Sequence, residues 1–161
     1  MEENPLWQFS VSIYGKPGIE SLLLRLQDDF GADVNMLLCA VWLGQQGILI
    51  HSSQWQALNQ VVESWRRECV VPLRSVRRFL KLQHDVESLR EQLKMLGLEA
   101  ECYQQALIYQ QLLLMDYSEW STEDDAVAKN LQAYVQFMGL GDKESLQRVL
   151  GDLNQLVVNR P

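Results

Sequence analysis

Six of the chain's 14 basic residues, Arg66, Arg67, Arg74, Arg77, Arg78 and Lys81, fall within residues 65–81 of a protein whose net charge is −7. On a helix beginning at Pro72, Arg74, Arg78 and Lys81 are spaced i, i+4, i+7 and share one face, with Arg77 at its edge. Arg74 would then stand in the first helical turn, where the dipole disfavours a cation by about 0.3 to 1 kcal/mol, so helix stability does not account for it. An anion bound there would be held by guanidinium forks and free backbone N–H groups together. The structural alternative is pairing with the protein's own carboxylates, for which Asp28, Asp29 and Asp33 are the candidates.

Those three carboxylates lie within residues 27–33 and invite a Mg²⁺ reading, since such sites combine carboxylates with substrate phosphate. The spacing argues against it. Helical diphosphate-processing enzymes use two aspartate-rich motifs on facing helices, and the other acidic run, Glu123-Asp-Asp125, is accounted for as a helix first turn. Asp33 reads instead as an N-cap. Asn35 would lie one residue inside an apolar helix, where an unpaired amide costs about 1 to 3 kcal/mol, so it must find a partner in a neighbouring loop or a ligand. His51 and His84 are the only histidines, and no HExxH, paired CxxC, Gly-x-Ser-x-Gly or phosphate-binding loop is present. His84 falls between apolar positions and reads as solvated. No catalytic residue, metal or cofactor is expected.

The element that must position these groups is the stretch Asp33-Val-Asn-Met-Leu-Leu-Cys-Ala-Val-Trp-Leu-Gly44. From Val34 to Leu43 only Asn35 is polar, so the segment reads as a helix covered on all sides. Its ten positions fall short of the roughly 20 needed to cross a bilayer. No membrane span is expected. The chain of 161 residues suits one domain, and the excess of 21 acidic over 14 basic residues works against general attraction to nucleic acid. Cys39, Cys69 and Cys102 sit in apolar helical patterns and read as reduced thiols, which with the acidic opening Met1-Glu-Glu-Asn-Pro5 suggests a cytoplasmic protein.

The remaining pattern is helical throughout. Asn4-Pro5 starts a first helix ending near Tyr14, and Ile19, Leu22, Leu23 and Leu26 mark a second that stops before Gly31. Ser53 with Gln56 forms a capping-box pattern, followed by Trp55, Leu58, Val62, Trp65 and Cys69 on a fourth helix. Pro72 is expected to break that helix and open a fifth, where Phe79, Leu82, Val86, Leu89, Leu93 and Leu96 repeat in heptads. Gly97 would end it, and Tyr103, Ala106, Leu107, Leu113, Leu114 and Tyr117 would face inward on a sixth, antiparallel helix. Ser121-Thr122 caps a seventh with Val127, Leu131, Tyr134 and Met138 inward. Leu146, Val149, Leu150, Leu153 and Val157 line an eighth. Trp7, Trp42, Trp55 and Trp65 lie on apolar faces, and Trp120 falls in a polar loop. The expected architecture is an all-α, single-domain bundle of about seven to eight helices around a buried third helix, with a long heptad-patterned hairpin.

Several of these segments, Leu6-Trp-Gln-Phe-Ser10, Tyr14-Gly-Lys-Pro-Gly18, Leu26-Gln-Asp28, Asp33-Val-Asn-Met-Leu-Leu38, Trp42-Leu-Gly44 and Val71-Pro-Leu-Arg74, continue into Arg77-Arg78 and Lys81. In this order they resemble a proteobacterial family of short proteins carrying a domain of unknown function. The resemblance covers residues 5–82, with 83–161 as a helical C-terminal half. It implies a bacterial cytoplasmic protein and groups Asp28, Asp33, Asn35, Arg74, Arg78 and Lys81 on a characteristic surface. It implies no activity.

The expected function is that of a non-enzymatic helical interaction or adaptor protein, with Asp28, Asp33, Asn35, Arg74, Arg77, Arg78 and Lys81 as its binding surface. Its partner would be another protein or an anionic small ligand. A homodimer through the heptad helix at residues 79–96 is a further option. The competing class is a phosphate- or carboxylate-binding protein, or a Mg²⁺-dependent enzyme, using Asp28 or Asp33 as acid, base or ligand. Nucleic acid is disfavoured by charge and by the lack of aromatics among the basic residues.

Overall fold

The computed structural model describes residues 4–116 and 125–158. Within them lie eight α-helices: α1 (Pro5–Tyr14), α2 (Ile19–Phe30), α3 (Val34–Gln45), α4 (Ser52–Trp65), α5 (Val71–Leu80), α6 (Glu87–Leu113), α7 (Ala126–Phe137) and α8 (Glu144–Val158). The all-α bundle follows from the 3.6-residue apolar spacing of its segments. Met36 to Val41 are buried without interruption in α3, as expected of a helix with no polar face. The core around it draws Leu6, Leu23, Trp55, Ile108, Tyr134 and Leu153 from six other helices.

α3 packs most extensively on α7, and Gly44 sets how closely they approach. A Cβ at Gly44 would come within 2.5 Å of the Val127 Cα, so only a residue without a side chain fits this crossing. Asn130 of α7 is itself buried, and its Oδ1 accepts from the Ile50 N–H at 3.0 Å while Nδ2 donates to the Ile48 carbonyl at 2.8 Å. The connection after α3 is thereby hydrogen-bonded without secondary structure.

Several boundaries differ from those the sequence predicts. Pro72 does not break the fourth helix. Residues Arg66–Val70 form a π-turn in which the Val71 N–H donates to the Arg66 carbonyl, and the chain runs from Ser52 to Leu80 as one helical rod. A proline ring clashes with the carbonyl four residues back in an α-helix; the wider π register just before Pro72 relieves that clash. α4 begins at Ser52, so the Ser53–Gln56 pattern lies inside it, and Gln54 Oε1 instead accepts from the His51 N–H at 2.9 Å.

The hairpin between the fifth and sixth helices exists, but it turns at residues 81–86 rather than at Gly97. Asp85 supplies the reversal with φ +61°, a conformation its short polar side chain tolerates. α6 then runs through Gly97, whose cost of about 1 kcal/mol in a helix interior is offset by packing along its 27 residues. The apolar heptads over residues 79–96 therefore span two helices. No continuous helix is available there for a coiled-coil dimer, and Phe79 and Leu82 are 62% and 81% exposed.

The inward face of α6 is Ala100, Gln104, Gln105, Ile108 and Leu112, not the set containing Tyr103, Leu113 and Leu114, which are exposed. The inward positions predicted for α8 are all buried, as are Val127, Leu131 and Tyr134 of α7. Trp55 is fully buried, whereas Trp7, Trp42 and Trp65 are only partly so. Tyr117, Trp120, the Ser121-Thr122 cap, Glu123 and Asp124 lie outside the described residues.

Candidate functional site

Gly31 ends α2 with φ +76°, its N–H donating to the Gln27 carbonyl at 3.1 Å as in a left-handed glycine stop, and the Ala32 N–H donates to the Leu26 carbonyl at 3.0 Å. This tight exit delivers Asp33 to the head of α3 two residues later. There Asp33 Oδ1 caps the helix by accepting from the Asn35 N–H at 2.9 Å. Its Oδ2 accepts from Arg66 Nη1 at 3.0 Å and from Gln104 Nε2 at 2.6 Å, and its own N–H donates to the Tyr134 hydroxyl oxygen at 2.8 Å. Four elements therefore converge on one residue, three of them on its carboxylate. The Asp33 side chain is 8% exposed and that of Arg66 20%.

Burial raises the Tyr134 phenol above its ordinary range, and the Asp33 charge adds to the shift. The hydroxyl remains protonated at neutral pH. The second guanidinium nitrogen of Arg66 donates to Asn59 Oδ1 at 3.1 Å, so both of its terminal nitrogens are held. Arg66 opens the π-turn, a local geometry that recurs at functional sites.

A second polar chain crosses the core beside this cluster. Asn35 is buried, and its Oδ1 accepts from Gln105 Nε2 at 2.9 Å; Gln105 Oε1 in turn accepts from Ser10 Oγ at 3.0 Å. Asn35 thus has its partner on α6, not in a loop. The adjacent Gln104 is fully buried, but its Oε1 meets no donor among the described residues. Flipping that amide would turn its oxygen toward the Asp33 carboxylate, so the orientation with Nε2 on Asp33 is the one that avoids repulsion.

Above the cluster lies an open groove of about 310 Å³. Asp33, Arg66 and Gln104 face it, Ala32, Val70, Val71 and Met138 give it apolar walls, and Arg74 stands at its side. Arg74 makes one ion pair, with Glu101 at 3.4 Å, the long end of a hydrogen bond. Burial pushes the Glu101 carboxyl above its ordinary range, and Arg74 only partly opposes the shift.

The structure places the other expected residues around this groove or away from it. Arg78 pairs with Asp28 on the surface, so the acidic turn and the basic helix do lie side by side. Asp29 pairs with Arg25 on its own helix at 3.8 Å. Arg77 lines a pocket of the α5–α6 hairpin, and its charge is still felt at Glu101, the carboxylate that Arg74 pairs with. Lys81 is exposed and has no ion-pair partner among the described residues. Four members of the cluster were not singled out from sequence: Arg66 as the Asp33 partner, Glu101, Gln104 and Gln105. The signal for the glutamines was there, since Gln104 interrupts the apolar i, i+4 series Ala100, Ile108, Leu112. Among the described residues, no group of three His, Cys, Asp or Glu side chains is arranged to hold a metal ion.

Fold and site together describe a helical protein with a polar cluster at the head of its buried helix. The chain belongs to the family described as Protein of unknown function (DUF2390), which matches residues 5–108. The matched segment reaches beyond residue 82 and takes in the Asp33 partners on α6. No curated protein and no solved structure matches the chain.

Proposed function

We propose that the protein is a helical interaction module and that the groove above Asp33 receives a carboxylate-bearing segment of a partner protein. The observation that carries this reading is the division of labour within the groove. Both Asp33 oxygens are engaged, by the Asn35 N–H on one side and by Arg66 and Gln104 on the other. A carboxylate so held has three of its roughly four acceptor positions filled by the fold, which suits positioning the groove better than proton transfer. Arg74, by contrast, retains donor capacity beside the apolar Val70, Val71 and Met138.

A partner carboxylate would complete the Arg74 fork. The acid, base or Mg²⁺ reading is not favoured by this geometry, because Asp28 is also engaged, accepting from Arg78 and from Gln27 Nε2. A bacterial cytoplasmic setting is part of the proposal; Cys39, Cys69 and Cys102, free thiols in the structure, are compatible with it. Among the described residues, no helix is long and apolar enough to cross a membrane.

The test is photo-crosslinking from a probe residue at Val71, identification of the captured protein, and binding measured with that protein purified. Arg74→Glu should abolish binding and Arg67→Glu, on the exposed surface, should leave it intact. Unchanged binding by Arg74→Glu, with its helical circular dichroism preserved, removes the groove from the interface.

A further inference from the structure

A second basic pocket lies where α5 and α6 turn back on each other, and nothing in the groove reading uses it. Its volume is about 280 Å³, and it is lined by Arg77 from α5 and by Glu87, Arg90, Glu91 and Lys94 from the first two turns of α6. Three cations converge here, yet none of the three has an ion-pair partner among the described residues. The Arg90 Nε is enclosed by protein and meets no acceptor there. Elsewhere the basic helix behaves differently: Arg66, Arg74 and Arg78 each hold a carboxylate.

Local stability does not explain the arrangement. Glu87 with Arg90 and Glu91 with Lys94 have the i, i+3 spacing of helix ion pairs, yet neither closes to one, and Lys94 follows Arg90 at i+4 as a like-charge pair. Such a cluster gains from an oxyanion placed between its members, because guanidinium groups meet phosphate oxygens in paired, charge-assisted hydrogen bonds. The carboxylates then acquire a role. Glu87 and Glu91 can accept only from donors, which a phosphate dianion lacks and a hydroxylated body supplies. With three cations against two carboxylates, the pocket suits one phosphate group and not a polyanion.

We propose that the α5–α6 hairpin pocket binds the phosphate group of a small hydroxylated molecule, with Arg77, Arg90 and Lys94 on the phosphate and Glu87 and Glu91 on its hydroxyl groups. The site is independent of the Asp33 groove.

The test is an NMR titration of the full chain with glycerol 3-phosphate, with inorganic phosphate and with glycerol. The expected result is a saturable shift of the Arg90 side-chain N–H resonance with glycerol 3-phosphate, weaker binding of inorganic phosphate and none of glycerol. Arg90→Gln should weaken binding by about tenfold to a hundredfold, the range for losing a hydrogen bond to a charged group. Lys94→Gln, an exposed position that leaves the fold intact, should also weaken it, whereas Arg74→Gln should not. Shifts that fail to saturate, or that persist unchanged in Arg90→Gln and Lys94→Gln, overturn the site. Inorganic phosphate binding as tightly as glycerol 3-phosphate overturns the role given to Glu87 and Glu91.

Discussion

At the head of α3, Arg66 meets Asp33 at 3.0 Å while Gln104, Asn35 and Tyr134 close around the same residue; in the hairpin, Arg77, Arg90 and Lys94 share a pocket without a carboxylate in contact. Arg66 of the first region and Arg77 of the second come from the same run of basic residues, while Arg90 and Lys94 are supplied by α6. In the first, positive charge holds the fold together. In the second it closes no ion pair, and Arg77 acts on Glu101 only at a distance. Composition alone does not distinguish a structural arginine from a binding one. The difference lies in whether the rest of the chain brings a partner to it.

The largest effect should come from removing Asp33. Asp33→Ala deletes the α3 cap and leaves the partly buried Arg66 unpaired, a loss of about 3 kcal/mol of unfolding free energy. Urea denaturation followed by circular dichroism measures it. Asp33→Asn keeps an acceptor for the Asn35 N–H and should lose less. If both variants melt with the parent, the cluster is not structural and the contrast between the two regions disappears.

Gln105 comes next. Gln105→Leu leaves the buried Asn35 Oδ1 and Ser10 Oγ without their partner, at a cost of about 1 to 3 kcal/mol. Its neighbour should cost at least as much, since Gln104→Met removes the 2.6 Å donor to the buried Asp33 carboxylate, and a hydrogen bond to a charged group contributes about 1.5 to 3 kcal/mol. A clearly smaller loss from Gln104→Met would mean that Arg66 alone satisfies Asp33 Oδ2 and that the amide adds nothing to the cluster.

The hairpin should behave in the opposite sense. Arg90→Gln or Lys94→Gln is expected to change stability by no more than about 0.5 kcal/mol, as for surface positions without a structural partner. A loss as large as that of Asp33→Ala would show that these cations support the fold, and the two regions would then differ only in detail.

How far these distinctions were legible in the sequence depends on whether a property is local. α3 declared itself because an all-apolar helix has only one place to go, and the inward sets of α7 and α8 followed from spacing alone. Asp33 as an N-cap is likewise a two-residue relation. The heptads of residues 79–96 misled because a one-dimensional period continues unbroken across a turn: Phe79 and Leu82 belong to one helix and its reversal, Leu89 and Leu96 to the next. Pro72 misled for a related reason, since a π-turn absorbs the lost hydrogen bond without any sign in composition. The Asp33 partners Arg66, Gln104 and Tyr134 lie 33, 71 and 101 residues away, a separation at which pairing is decided by packing.

The smallest effect bears on Arg74, which stands between the two regimes. Burial raises the Glu101 carboxyl above its ordinary value of 4.5, with the Arg74 charge opposing the shift incompletely. The folded protein therefore binds this proton more tightly than the unfolded chain does, so stability falls as pH rises from 4.5 through the folded-state value. Glu101→Gln removes that dependence. Its stability relative to the parent should rise across this window and level off above it, with pH-dependent thermal melts as the readout. Were the pair tightly closed, attraction to Arg74 would lower the Glu101 pKa, and the variant would lose ground over the same range. The sign thus reports whether burial or attraction to Arg74 and Arg77 dominates at Glu101, and a weakly held Glu101 is what a docking carboxylate could displace from Arg74.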